Sequence, residues 1–119
     1  MKRVMLVEDE LHLLNLYKKT LLLHGYEVET AQDGEEALSK IGNFKPDIVF
    51  LDYLLPTING GEVLAKIRTI PELRAVPVII LTGTTDKMEE TFTKGATAYL
   101  HKGSNTTKKI LDCIKIYSK

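Results

Sequence analysis

A chain of 119 residues can close one hydrophobic core but not two. With 44% hydrophobic and 27% charged residues its composition is that of an ordinary globular domain, which excludes disordered and fibrous classes. Sixteen basic residues against sixteen acidic ones leave no net charge, so the chain lacks the electrostatic footprint of a general nucleic-acid or anionic-membrane binder.

Strands are predicted over Arg3–Val7, Glu27–Ala31, Asp47–Leu51, Val78–Thr82 and Ala98–His101. Three of them carry continuous apolar runs (Val4–Val7, Ile48–Leu51 and Val78–Leu81), the pattern of strands buried on both faces of a parallel sheet. Helical segments alternate with them. The first covers about Leu11–His24 and stops at Gly25, a C-terminal cap. The second opens on Asp33-Gly34-Glu35-Glu36, where Asp33 caps and Glu36 closes a capping box. The third spans about Gly61–Ile70 before Pro71, the fourth about Lys87–Lys94 before Gly95. The last follows Ser104-Asn105 and carries Ile110, Leu111, Ile114 and Tyr117 at helical spacing. Strand–helix alternation with short connections gives right-handed crossovers and a three-layer α/β/α doubly wound sheet, expected to occupy residues 1–119 as one domain. The apolar runs are too short to span a bilayer, no leader opens the chain, and the lone Cys113 has no partner within it; a cytoplasmic protein is expected.

In such sheets ligands bind outside the carboxyl ends of the strands. Glu8, Asp9 and Glu10 follow the first strand there, Asp52 the third, Thr82 closes the fourth, and Lys102 follows the fifth. Clustered carboxylates repel one another unless a cation sits among them. A hard divalent ion with oxygen ligands, Mg²⁺ above all, answers that need, and Lys102 adds one more positive charge. The set suits a phosphoryl guest. A carboxylate can attack phosphorus to give an acyl phosphate, and the central Asp52 is the best-placed nucleophile, with the Thr82 hydroxyl beside it for a phosphoryl oxygen.

These residues resemble a family. Leu6-Val7-Glu8-Asp9-Glu10, His24-Gly25-Tyr26-Glu27-Val28, Ala31-Gln32-Asp33-Gly34-Glu35-Glu36-Ala37-Leu38, Pro46–Pro56, Asn59-Gly60, Leu81-Thr82-Gly83, Gly95-Ala96 and Tyr99-Leu100-His101-Lys102 together are similar to the receiver domain of two-component response regulators. The resemblance covers essentially the whole chain. It implies a flavodoxin-like, five-stranded parallel sheet in the order 2-1-3-4-5 with five helices; that order comes from the resemblance, not from the spacing. It implies that Asp52 accepts a phosphoryl group from a histidine kinase or a histidine phosphotransfer protein. Asp9 then binds Mg²⁺ directly, with Asp52 and the backbone carbonyl of Leu54, while Glu8, where many receivers have Asp, reaches the metal through water. Thr82 and Lys102 contact the phosphoryl group, and Thr82 and Tyr99 switch together. The output surface is the fourth helix, the fifth strand and the last helix, acting on a partner protein or a linked effector domain. Homodimerisation on phosphorylation is a further partner state.

Several positions depart from the family pattern. Gly103 stands where Pro usually follows the lysine, so a trans Lys102–Gly103 bond or a looser loop is expected, with Lys102 less firmly aimed. Leu54 is apolar where receivers often carry a polar residue, so a long-lived acyl phosphate is expected. Leu55 replaces a common Met with little consequence. On the first helix, Leu13, Leu16, Tyr17, Thr20 and His24 are assigned to the buried arc, and Leu11 and Leu14 to phosphodonor docking. Other classes fit less well. A small Asp-nucleophile phosphatase would want a second Asp where Leu54 stands, and a flavin or nucleotide carrier would not place Glu8-Asp9-Glu10 in its phosphate loop. A degenerate receiver, acting as an interaction module without phosphorylation, is the remaining alternative.

Overall fold

The computed structural model describes residues 2–83 and 94–118. Its elements run β1 (Arg3–Val7), α1 (Leu11–Leu23), β2 (Glu27–Ala31), α2 (Gly34–Phe44), β3 (Ile48–Asp52), α3 (Gly60–Ile67), a short 3-10 turn at Pro71–Leu73, β4 (Val78–Thr82), β5 (Ala98–His101) and α4 (Thr106–Tyr117). The helix expected at Lys87–Lys94 falls, apart from Lys94, outside the described residues. The five strands form one parallel sheet in the order β2-β1-β3-β4-β5. Four strands have the bounds expected of them. β3 starts and ends one residue later, which makes Asp52 its last ladder residue instead of the first loop residue.

Every residue of β3 and β4 is buried, as their continuous apolar runs require. Alternate side chains feed two separate cores. Met5, Val7, Val49, Leu51, Val78 and Ile80 pack under α2 and α3. Val4, Leu6, Ile48, Phe50, Ile79 and Leu81 pack under α1 and α4. The sheet is thereby held from both sides, and its carboxyl rim is left as the exposed end of a rigid layer.

Helix ends follow local chemistry. After α1, Gly25 takes φ +86°, its N–H bonds to Leu22 O at 3.1 Å and that of Tyr26 bonds to Leu21 O at 3.1 Å, the paired bonds of a Schellman stop. At α2 the Asp33 carboxylate accepts from the Glu36 N–H at 2.7 Å, but the Glu36 side chain reaches back to the Gln32 N–H at 2.8 Å, one residue earlier than the capping box places it. α3 is capped by Asn59, whose side chain accepts from the Glu62 N–H at 2.9 Å. It ends at Ile67, short of the expected Ile70, because Pro71 holds Ile70 in an extended conformation. Arg68 at that end turns its guanidinium onto three backbone carbonyls, those of Gly95 (3.0 Å), Leu73 (2.9 Å) and Val76 (2.7 Å).

α1 corrects the sequence reading. Its buried residues are Leu14, Tyr17 and Leu21, with Leu13 beside them, while Leu16 and His24 are exposed. Leu14, expected to face a phosphodonor, is only 3% exposed; Leu11 keeps the surface position expected of it. In α4 the buried stripe is Thr106, Ile110, Cys113 and Ile114, and Tyr117 lies outside it. Among the described residues no helix is long and apolar enough to cross a membrane.

Candidate functional site

The parallel register brings the strand ends to one rim: Val7 pairs with Leu51, Asp52 with Leu81 and Thr82 with His101. Glu8 extends β1 beyond its last paired residue, its N–H bonding to Ala31 O at 3.0 Å, and its side chain is therefore buried. Lys102 is anchored at the far end by its N–H on Thr82 O at 2.8 Å. From there its ammonium spans the rim, donating to Glu8 Oε1 at 2.6 Å and to Asp52 Oδ2 at 2.8 Å. The second oxygen of Glu8 accepts from the Glu10 N–H at 3.1 Å, and Asp52 Oδ1 from the Leu54 N–H at 3.4 Å.

The Lys102 ammonium contacts two of three neighbouring acids. Glu8, Asp9 and Asp52 each offer a carboxylate oxygen within 4.8 Å of the other two; Glu8 and Asp52 are buried and Asp9 is exposed. Burial first, and then the neighbouring Glu8 carboxyl, push Asp52 up to about 7, although Lys102 pulls the other way. Burial alone would lower Lys102, but its hydrogen bonds to Asp52 and Glu8 outweigh that and hold it above its ordinary value. An all-oxygen set with an excess of negative charge fits a hard divalent cation.

Asp52, Glu8, Asp9 and Lys102 thus converge as the sequence implies. Thr82 is buried at the end of the adjacent strand, and Tyr99 lies half-buried on the α2/α3 side of β5. The Leu54 side chain is exposed. The Lys102–Gly103 bond is trans as expected, and both carboxylate contacts of Lys102 are short.

Three residues at the site escape sequence reasoning. Tyr17, buried on α1, lies within the electrostatic reach of Lys102, Glu8 and Asp52; burial raises its hydroxyl above the ordinary value. Thr106, buried at the start of α4, bonds through its hydroxyl to both backbone groups of Gly103. Gly60 passes so close to the acid that a Cβ there would lie 2.5 Å from Asp52 O and 2.7 Å from Tyr53 Cα. Only the Asn59-Gly60 pair gave a signal for the last.

A doubly wound sheet whose rim gathers three carboxylates, with the Lys102 ammonium laid across two of them, makes a candidate divalent-cation site. The family model described as the response regulator receiver domain matches residues 4–115. The transcriptional regulatory protein TrcR of Mycobacterium tuberculosis is 38% identical over 102 residues, 84% of this chain and 39% of that protein. The alkaline phosphatase synthesis transcriptional regulatory protein PhoP of Bacillus subtilis is 36% identical over 89 residues, 75% of this chain and 36% of that one. This chain therefore spans less than half the length of either relative. Among solved structures, chemotaxis protein CheY4 of Vibrio cholerae superimposes with a TM-score of 0.91 at 31% identity, covering 98% of both chains. TrrA of Thermotoga maritima, solved in complex with Mg²⁺-BeF, gives a TM-score of 0.85 at 34% identity over 98% of this chain and 99% of its own. The chain belongs to the response regulator receiver domain family, whose members are phosphoacceptor signalling modules.

Proposed function

We propose that this chain, as one domain, is a phosphorylation switch whose acceptor is Asp52. The observation that carries the reading is the buried Asp52 carboxylate at the end of the central strand, flanked by Glu8 and Asp9 and held at 2.8 Å by Lys102. An Asp52 oxygen attacks phosphorus as the bond to the donor's histidine nitrogen breaks, giving an acyl phosphate. The donor is a histidine kinase or a histidine phosphotransfer protein. Lys102, already across the rim, exchanges a carboxylate contact for a phosphoryl oxygen, and Thr82 donates its hydroxyl to another. Glu8, Asp9, Asp52 and the backbone carbonyl of Leu54 would hold Mg²⁺, which offsets the negative charge gathered on the phosphoryl oxygens.

The module does not turn over a substrate; it stores the group and changes shape. Movement of Thr82 toward the phosphoryl group, with Tyr99 following, shifts the population of the surface around β5 and α4. That surface would engage a downstream protein, a linked effector domain or a second copy of the chain. A cytoplasmic setting accords with the buried, unpaired Cys113.

Intact-protein mass after incubation with acetyl phosphate, on the parent and on Asp52→Asn, tests the assignment. A phosphoryl increment that needs both Mg²⁺ and Asp52 is expected. An increment that persists in Asp52→Asn, or a parent that neither gains mass nor binds beryllofluoride, refutes it and leaves an interaction module that works without phosphorylation.

A further inference from the structure

Gly103 directly follows the site lysine. Glycine has the widest backbone freedom of any residue, and among the described residues beyond its chain neighbours no atom lies within 4 Å of where a Cβ would stand at Gly103. The restraint comes from one side chain. The Thr106 hydroxyl accepts from the Gly103 N–H at 2.8 Å and donates to the Gly103 carbonyl at 2.7 Å. The Thr106 N–H adds a longer bond to the same carbonyl at 3.3 Å. Thr106 is buried, as is Tyr17 on α1.

This hydroxyl does not cap its own helix. Its amide partner, the Gly103 N–H, lies three residues upstream and outside the set of amides that α4 leaves unpaired. Its effect falls on the loop. Upstream, the β-ladder fixes Lys102 through Thr82 O at 2.8 Å; downstream, among the described residues, the Thr106 clamp holds Gly103. The lysine stem has four rotatable bonds, so where its ammonium arrives depends on how its backbone is held. Contacts of 2.6 and 2.8 Å to two acids leave little slack.

We infer that Thr106 is a positioning residue for Lys102: its hydroxyl pins Gly103 and so delivers the ammonium to the Glu8–Asp52 pair. The inference rests on the phosphoacceptor reading of Asp52. It assigns to α4 a share in the site, although that helix contributes no residue to the phosphoryl chemistry.

The test compares Thr106→Val and Thr106→Ser for the rate of acetyl phosphate uptake at fixed Mg²⁺. Thr106→Val should slow uptake by about tenfold, and Thr106→Ser, which keeps the hydroxyl, should stay within about twofold of the parent. Thr106→Ala also removes the hydroxyl and provides a second variant should Thr106→Val not fold; a slowing of about tenfold is expected there too. A cycle of Thr106→Val with Lys102→Met in urea unfolding separates positioning from plain structure. If Thr106 acts through Lys102, its loss costs less stability once the lysine is gone; additive losses overturn the inference. So does uptake at the parental rate in both Thr106→Val and Thr106→Ala. A parent that acquires no phosphoryl group on Asp52 removes the phosphoacceptor reading first, and this inference with it.

Discussion

Replacing Asp52 by Asn should stabilise the metal-free protein at neutral pH, although it removes the proposed acceptor. In the folded chain the Asp52 carboxyl is pushed up to about 7 by burial and by Glu8, whereas in the unfolded chain it titrates near 3.9. Between those values the native state holds a proton that the unfolded state has released. Stability contributed by this group is therefore whole below about pH 4 and falls as pH rises through the window. A displacement of about three units corresponds to an upper bound of about 4 kcal/mol lost by pH 8. Asparagine avoids that loss and keeps a neutral oxygen for Lys102 Nζ, which lies 2.8 Å from Asp52 Oδ2. The charge on that bond is already contained in the displacement, since Lys102 pulls Asp52 the other way. The gain at pH 8 is therefore bounded at about 4 kcal/mol, and half of that would raise Tm by about 6–12 °C for a domain of this size.

The assay is urea and thermal unfolding of parent and Asp52→Asn in metal-free buffer at several pH values between 4.5 and 8. The gap should open with rising pH and nearly close at pH 4.5. Equal stability at pH 8, or a gap that does not change with pH, refutes the electrostatic argument and makes the effect one of packing. Lys102→Met supplies the opposite sign. It leaves Glu8 and Asp52 side by side without their ammonium, so it should destabilise at pH 8 and do so less at pH 4.5, where protonation of Asp52 relieves the pair. Mg²⁺ at 100 times its dissociation constant should stabilise the parent by about 2.7 kcal/mol and Asp52→Asn by much less.

Three further outcomes rest on particular contacts. Leu14→Ala should cost about 2–5 kcal/mol in urea unfolding, because Leu14 is a core residue of α1, while the exposed Leu11→Ala should stay within about 0.5 kcal/mol of the parent. Gly60→Ala should destabilise by about 1–3 kcal/mol and slow phosphoryl uptake, since its methyl would press on the backbone of Asp52 and Tyr53, which has no side-chain freedom to yield. Leu54→Asn should shorten the lifetime of the Asp52 phosphate, read as the decay of the phosphoryl mass increment. An unchanged decay rate would mean that the apolar side chain there does not govern water attack.

Legibility followed the strength of the local signal. β1, β3 and β4 were readable because strands buried on both faces must be apolar throughout, and the strand ends then located Glu8, Asp9, Asp52, Thr82 and Lys102 by a rule of the fold alone. α1 was misread for the opposite reason. With leucine at positions 11, 13, 14, 16, 21, 22 and 23, apolar residues surround most of the helix and no single stripe stands out. What selects the face is packing between distant elements: Leu14, Tyr17 and Leu21 share one core with Ile110, Cys113 and Ile114 of α4, and Leu16 is left outside.

The same limit hid the support beneath the lysine. A threonine at a helix start reads as an opener, and its bonds to the Gly103 backbone leave no mark in the sequence. The Arg68 clamp is likewise invisible, because its partners are carbonyls, and carbonyls carry no sequence identity. The parts of the site that a sequence declares are the charged groups that face the ligand; the groups that hold those charges in place act through hydroxyls and backbone. Gly103 is the sharpest instance. Taken by residue type alone, it predicts a slack lysine. In the fold, the Thr106 hydroxyl restores the restraint that the residue type lacks, and the lysine meets both carboxylates at hydrogen-bonding distance.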